Sequence, residues 1–494
     1  MPLVADAMPR TGALLRTVPG RTGQILIGTL AAILVGLPML LLPAPYGLLA
    51  PVALAMLPVA GLVAFNNAFA LCLIFIVFSF FRIHEAFPVL NPLRIPSLVA
   101  IPTLLVLGWH IALSRSIKPY WSKELKAFSV FFIITTIGVL FAVNRSSALT
   151  YWTATYWKIA IMVIAIAWLT RDPKDFLLAA RALVIGGSAV AIVAITNKLG
   201  GIGLVEGTRV TIGRDIGSVL GDPNDLSLVL LFPLGFAACL VAFPTGWLNK
   251  MIGLVGTALI VWGIVCTQSR GGFLGIIATF GVIGFRVVKS KATLITVGCI
   301  MAVALFAGMG INKRASGGAR EQGIDESSMG RIYAWQAAIK MATTHPLNGV
   351  GLDNFTGNYY FYSPHWDGTN HAVHSTWFNV LAETGFPGLI AFVTMVIICL
   401  RSSYQSMVRL DGARAPPIVR AMSLALFTGL VSFCMAGTFL TQGFTWPIYI
   451  LVALTTAMAS HARTYAPAAV VTPFMASRPV PLKTGKAIAR TLLK

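Results

Sequence analysis

The sequence reads as an all-α polytopic integral membrane protein with twelve to fourteen transmembrane helices. Three observations lead there. Apolar runs long enough to cross about 30 Å of hydrocarbon recur along the chain. Hydrophobic residues make up 57% and charged residues only 11%, with a mean hydropathy of +0.81, which excludes a soluble globule. Lys and Arg are confined to short links and the two ends, so the net charge of +21 is a topological signal and not a nucleic-acid-binding face.

The apolar runs fall at roughly 24–43, 46–65, 67–81, 97–113, 128–143, 157–170, 183–197, 225–243, 251–267, 272–287, 292–310, 379–400, 419–440 and 445–460. The short runs 67–81 and 183–197 are expected to be half-helices or re-entrant pieces. An even number of spans puts both ends on one side. The basic stretch before the first run reads as a retained anchor, since that run is long and another follows at once. The divisions expected are a cytoplasmic N-terminus 1–23, a transmembrane bundle 24–310, an outer loop region 311–372 with an amphipathic helix, C-terminal helices 373–460 and a cytoplasmic tail 461–494.

Positive charge in short loops marks the cytoplasm. With Arg10, Arg16 and Arg21 inside, the links carrying Arg115, Lys118, Lys123 and Lys126, then Arg171, Lys174 and Arg181, then Arg286, Lys289 and Lys291, then Arg401, Arg409 and Arg414 all fall inside, as does the tail. The segments 198–224 and 311–372 and the corner Gln268-Ser269-Arg270-Gly271-Gly272 then share the outer compartment. All six cysteines lie in apolar runs without a Cys-x-x-Cys pair and read as packing residues.

The outer segments hold the candidate chemistry. Ser327-Ser328-Met329-Gly330 is expected to cap a helix running from Arg331 to about Thr344, with Ile332, Trp335 and Ile339 on one face lying on the membrane or against the bundle. Arg331 in the first turn suits an anion, or pairs with Asp325 or Glu326; both readings stand. Arg270 either snorkels to headgroups or lines a polar cavity, and its outward position runs against the general charge bias. His374 is either a hydrogen-bonded structural group or a general base, for which a neutral imidazole is suited. His345, His365 and His371 match no zinc-ligand spacing, and no metal is expected. Asp222 and Asp225 read as turn and cap residues before a span. Tyr359, Tyr360, Phe361, Tyr362 and Trp366 suit either sugar stacking or the lipid interface.

The ordered strings Gly330-Arg331-Ile-Tyr-Ala-Trp335, His345-Pro346-Leu-Asn-Gly349-Val-Gly351-Leu-Asp-Asn354-Phe355 and His374 through Glu383-Thr-Gly385-Phe-Pro-Gly388, preceded by Gly221-Asp222-Pro223-Asn224 and Ser269-Arg270-Gly271-Gly272, resemble the O-antigen ligase and polymerase superfamily over about 170 residues. The resemblance implies a multi-span, GT-C-like glycosyltransferase of the bacterial inner membrane. Its implied donor is undecaprenyl diphosphate-linked O-antigen on the periplasmic face, its acceptor lipid A-core, and its surroundings membrane lipids, with no cofactor. Carried over by motif, His374, Arg270 and Arg331 are the functional residues. Guanidinium groups suit the diphosphate and the imidazole suits the acceptor hydroxyl, with inversion at the anomeric carbon. Arg209, Arg214, Asn224, Trp335 and His371 are the expected substrate-contacting residues. A polymerase of the same superfamily and a protein O-oligosaccharyltransferase are the neighbouring alternatives. A transporter is the alternative of another class, against which stands the scarcity of charge at mid-span.

Overall fold

A computed structural model describes residues 67–308 and 326–465, apart from 88–89, 91–94, 116 and 367. The chain divides into two compact units, Met1–Asn67 and Ala68–Lys494, and the architecture below is that of the second. The expected runs 24–43 and 46–65, the N-terminal arginines and the tail beyond 465 lie outside the described residues.

Every apolar run expected from residue 67 onward falls on a helix. In chain order these are α1 (Ala68–Phe80), α2 (Ile95–Ala112), α3 (Lys123–Leu140), α4 (Arg145–Leu169), α5 (Pro173–Gly200), α6 (Pro223–Ala242), α7 (Trp247–Thr267), α8 (Arg270–Val287) and α9 (Lys291–Gly308). After the gap come α10 (Glu326–Thr344), α11 (Phe355–Tyr362), α12 (Thr376–Gly412), α13 (Pro417–Gly437) and α14 (Trp446–Tyr465). Seven helices among the described residues are long and apolar enough to cross a membrane: α4, α5, α6, α7, α8, α12 and α13. The strands described are two residues each, β1 (Leu204–Val205) and β2 (Arg209–Val210), paired antiparallel. The protein is an all-α polytopic membrane protein.

The run at 183–197 is not a half-helix. It is the middle of α5, whose 28 residues begin at Pro173 behind an Asp172/Asp175 capping box and end at Gly201 in the left-handed region (φ 68°). Arg181 interrupts the hydropathy without interrupting the helix, because its Nε donates to Asn249 Oδ1 of α7 at 2.8 Å. By contrast α1 has only 13 residues, and a single turn at Ile83–Ala86 follows it.

Helix α6 is buried on all sides and packs against α5, α7, α8 and α13. Lipid tails are as apolar as leucine, so helices associate here through close packing and polar contacts and not through exclusion from water. The α6–α7 approach depends on Gly253, where an added Cβ would lie 2.6 Å from the Ala237 carbonyl oxygen. Thr279 of α8 and Ser432 of α13 share a hydrogen bond of 2.7 Å, a contact worth about 1 kcal/mol in such an environment.

Polar contacts gather at two ends of the bundle. At one end Tyr120 donates to Ala167 O, Arg171 to Lys118 O, and Asp411 is bridged by Arg286 and Arg420. These belong to the links assigned to the cytoplasmic side. At the other end, Glu85 meets Ser218 and Asn144 meets Asn354, where Ser218 and Asn354 belong to segments assigned to the outer side.

The segment that follows α10 has its own apolar core. Ala334, Ala337, Ala338 and Met341 of α10 are fully buried, together with Val350, Phe355, Tyr359, Val373 and Ala382 of α12. Of the two orientations expected for α10, on the membrane or against the bundle, it is the alanine face that meets the bundle, while Ile332 and Ile339 are 37% and 46% exposed. The helix also starts at Glu326, so Ser327 and Ser328 lie within it and Arg331 sits in its second turn. Asp325 lies outside the described residues.

Residues 345–355 form a strap across α12. Val350 N–H donates to Ala382 O at 2.8 Å and Phe386 N–H to Pro346 O at 3.0 Å, across a break in the helix at Gly385 (φ 66°, ψ −168°). Glu383 is 5% exposed, and its carboxylate accepts the backbone N–H groups of Asp353 (2.9 Å) and Phe355 (3.3 Å). Gly349 stands at the crossing with φ 61°, where a Cβ would lie 2.3 Å from the Ala382 oxygen. Gly349→Ala therefore adds a left-handed backbone cost of about 1–2 kcal/mol to a clash with main chain. Hydrogen exchange should accelerate at Val350 and Phe386 while α6 amides keep their protection; unchanged exchange at both amides would show that the strap is not held this way.

Candidate functional site

Four polar pieces converge at the end of the bundle assigned to the outer side: the β1–β2 hairpin, the first turn of α6, the first turn of α8, and the entry to α12 with the 438–445 link. Each is anchored by its own local chemistry. Asp222 caps α6, its Oδ1 accepting N–H groups from Asn224 (2.7 Å) and Asp225 (3.2 Å), with Pro223 at the first helical position. Ser269 caps α8 by accepting Gly272 N–H, and Gly272 leaves the room that Ser227 Oγ occupies, 1.8 Å from where a Cβ would be.

Arg209 ties the hairpin to the first turn of α6 and to the end of α7. Its guanidinium is 5% exposed; Nη2 donates to Asn224 Oδ1 at 2.8 Å, Nε to Thr267 O at 3.2 Å, and Glu206 lies 3.6 Å from Nη1. Asn224 Oδ1 also accepts from Ser269 Oγ at 3.0 Å. A charge this deep needs such a set of acceptors. Arg209 and Asn224, both expected to touch substrate, are thus joined to the Ser269-Arg270 corner through one amide oxygen.

His374 sits just before α12 with φ 48°, a conformation uncommon for a side-chain-bearing residue. The bonds on either side of it hold it there. Its own N–H donates to Thr441 Oγ1 (2.9 Å), Val373 O accepts Trp335 Nε1–H (3.1 Å), and Thr376 Oγ1 donates to Leu440 O (2.7 Å) while accepting Gln442 N–H (3.2 Å). Gln442 Nε2 in turn donates to Asp225 Oδ1 at 2.8 Å. Trp335 also stacks on Phe378, ring centroids 5.3 Å apart, so it positions the histidine loop.

Burial lowers the His374 pKa below the usual imidazole value, and the charge of Arg331 lowers it further; Asp222 opposes both, while His371 and Arg209 add smaller depressions. The expected residues Arg331, Arg209 and His371 are therefore gathered around His374. Arg270 is the first residue of α8, half-buried, and its neighbour Gly271 abuts Phe439 and Leu440 of the link that anchors His374. Arg214 is exposed and donates to Gly221 O at 3.3 Å, holding the turn before Asp222.

The other histidines are separated. His345 lies 3.1 Å from the Tyr362 hydroxyl, His365 stacks on Tyr333 at 5.0 Å, and His371 contacts Thr369 Oγ1 at 3.2 Å and the Tyr359 ring edge. Among the described residues no three His, Cys, Asp or Glu side chains gather in a metal-holding group.

A cavity of about 120 Å³ opens beside His374, lined by Tyr151, Asp353, Asn379, Glu383, Thr441 and Phe444 among others. Asp353 has φ 58°, and burial raises its carboxyl above the usual carboxylate range, against the Ser147 hydroxyl that favours the charged form. Sequence reasoning gave no role to Asp353, Thr441 or Gln442. The signal available was the polar break Thr441-Gln442-Gly443 between two apolar runs, on the same outer side as the other pieces.

Residues 255–393, from within α7 to the first part of α12, match the family described as O-Antigen ligase. The match spans Arg270, Arg331, the strap and His374. No curated protein matches the chain. The ordered motifs and the helical bundle agree with this match, and over residues 255–393 the chain is similar to the O-antigen ligase family.

Proposed function

We propose that this protein is an O-antigen ligase. It would transfer a preassembled glycan from undecaprenyl diphosphate to a sugar hydroxyl of lipid A-core on the periplasmic face of the bacterial inner membrane, with both termini cytoplasmic. The observation that carries this is His374: an imidazole kept neutral by burial and by Arg331, held by main-chain bonds at the polar end of the bundle. The match to the O-antigen ligase family supports the transferase class, and the donor, acceptor and residue roles are inferred from the chemistry of the site.

Diphosphate is a good leaving group, so the reaction needs cationic donors for it and a base for the hydroxyl. His374 accepts the proton as the acceptor oxygen bonds to the anomeric carbon, and the carbon–oxygen bond to diphosphate breaks with its electron pair on the departing oxygen. Arg331 and Arg270 take the diphosphate oxygens as bidentate donors. Arg209, fully engaged with Asn224 and Thr267, contributes fixed positive potential. Direct displacement inverts the anomeric centre. The positive charge is supplied by guanidinium groups, so the reaction is assigned no metal.

His374→Ala should lower transfer of a labelled lipid-linked glycan to lipid A-core by about 10²–10⁴-fold in EDTA-containing liposomes; full activity would remove the base assignment, and chain growth on the lipid donor in place of transfer would make the enzyme a polymerase. The pH profile follows from the direction of the His374 shift. A lowered pKa leaves the imidazole able to accept a proton to more acid pH than usual, so the acid limb of kcat/KM should lie below about 6.5, the unperturbed value; a limb above it contradicts the assignment. For Arg331, replacement by Lys keeps the charge and loses the fork, so Arg331→Lys should retain part of the activity that Arg331→Ala loses, with the donor KM rising in both. Equal, wild-type donor KM in the two variants would move the diphosphate elsewhere.

A further inference from the structure

The cavity beside His374 differs in charge from the histidine's other surroundings. It shares two elements with that residue: Val373, its chain neighbour, and Thr441, which accepts its amide. Its lining carries two carboxylic side chains, Asp353 and Glu383, and among the described residues no Lys or Arg lines it. With no cation in its lining, such a pocket offers a diphosphate nothing to neutralise it. A neutral polyhydroxyl ring is suited to it, because hydroxyl groups donate well to a carboxylate and the ring's apolar face packs on Tyr151, Phe355 or Phe444.

Glu383 is already engaged with the Asp353 and Phe355 amides, which leaves Asp353 as the carboxylate facing a ligand. One of its oxygens takes the Ser147 hydroxyl at 3.4 Å, and the strap presents it in a left-handed conformation. A strained residue on the rim of a cavity is a frequent sign of function. The volume of about 120 Å³ holds several ordered waters, roughly the bulk of one sugar ring and too little for a chain of them.

We propose that this cavity is the acceptor subsite, taking a single neutral sugar ring of the acceptor with Asp353 as the principal receiver of its hydroxyl hydrogens. The assignment rests on the transferase reading above. It places the attacking hydroxyl between an acidic pocket that holds the acceptor and the arginines that hold the leaving diphosphate, with His374 at the junction. Asp353 takes no proton in the reaction; it orients the ring so that one hydroxyl reaches the imidazole.

The test uses the full-length protein in liposomes with separate titrations of lipid-linked donor and lipid A-core acceptor, comparing wild type with Asp353→Asn and Thr356→Phe. Asparagine tolerates the left-handed backbone, so the first variant removes the charge and one acceptor oxygen without straining the chain. Thr356, exposed on α11 and part of the lining, lets phenylalanine fill the cavity without entering the bundle. The acceptor KM should rise about ten- to a hundredfold in both variants, with the donor KM unmoved. Saturation-transfer NMR with delipidated core oligosaccharide should show a contact to wild type that both variants lose. Intact transfer with an unmoved acceptor KM in Thr356→Phe, or donor and acceptor KM rising together, overturns the subsite and leaves the ligase assignment standing. If wild type transfers glycan to no acceptor, the ligase assignment fails and takes the subsite with it.

Discussion

The carboxylate of Glu383 holding the amides of Asp353 and Phe355 is the contact on which the outer end of this protein depends. A break in a helix leaves backbone N–H and C=O groups without their helical partners. Here the break at Gly385 is answered from outside the helix: Pro346 O accepts Phe386 N–H and Val350 N–H reaches Ala382 O, with Glu383 closing the strap. The glycines at 349 and 385 follow from that crossing, since main chain passes where a Cβ would be. The strap then binds the α3–α4 link through Asn354 and Asn144, brings Asp353 to the cavity, and leaves the segment before α12 to be set by Thr441 and Trp335.

The second organising feature is the handling of buried charge. Arg209 lies deep in the protein and is satisfied by Asn224, Thr267 and Glu206, so it acts as a fixed source of potential and as a brace between the hairpin, α6 and the end of α7. Asp222 stabilises the start of α6 and at the same time opposes the depression of the His374 pKa. One side chain thus serves both the fold and the electrostatics of the site. The cap expected from the sequence is present, and its influence on the histidine arises from tertiary proximity alone.

Hydropathy and end signals located the helices because the bilayer imposes a length and a polarity on each of them. The α5 error shows the limit: Arg181 shortened the apolar run, while the Asp172-Pro173 start and the Gly200-Gly201 stop already delimited a longer helix. The orientation of α10 was left open by the sequence. Apolar residues inside the water phase point inward, but near a membrane Ile332 and Ile339 lose little by facing outward, and the alanine face permits closer approach to α12.

By itself the sequence determined the class, the helix positions, the shared side of the polar segments, and the candidates His374, Arg209 and Arg331, because spans, charge bias and local motifs are encoded over a few tens of residues. Tertiary structure alone decided which of those candidates meet. It put Arg209 on Asn224 and Arg331 in the field of His374, gave Trp335 to the Val373 carbonyl, and formed the acidic cavity from α4, the strap, α12 and the 438–445 link. Those pairings join residues from tens to hundreds of positions apart, and their geometry depends on helix approach and on main-chain hydrogen bonds that no local pattern of residues records.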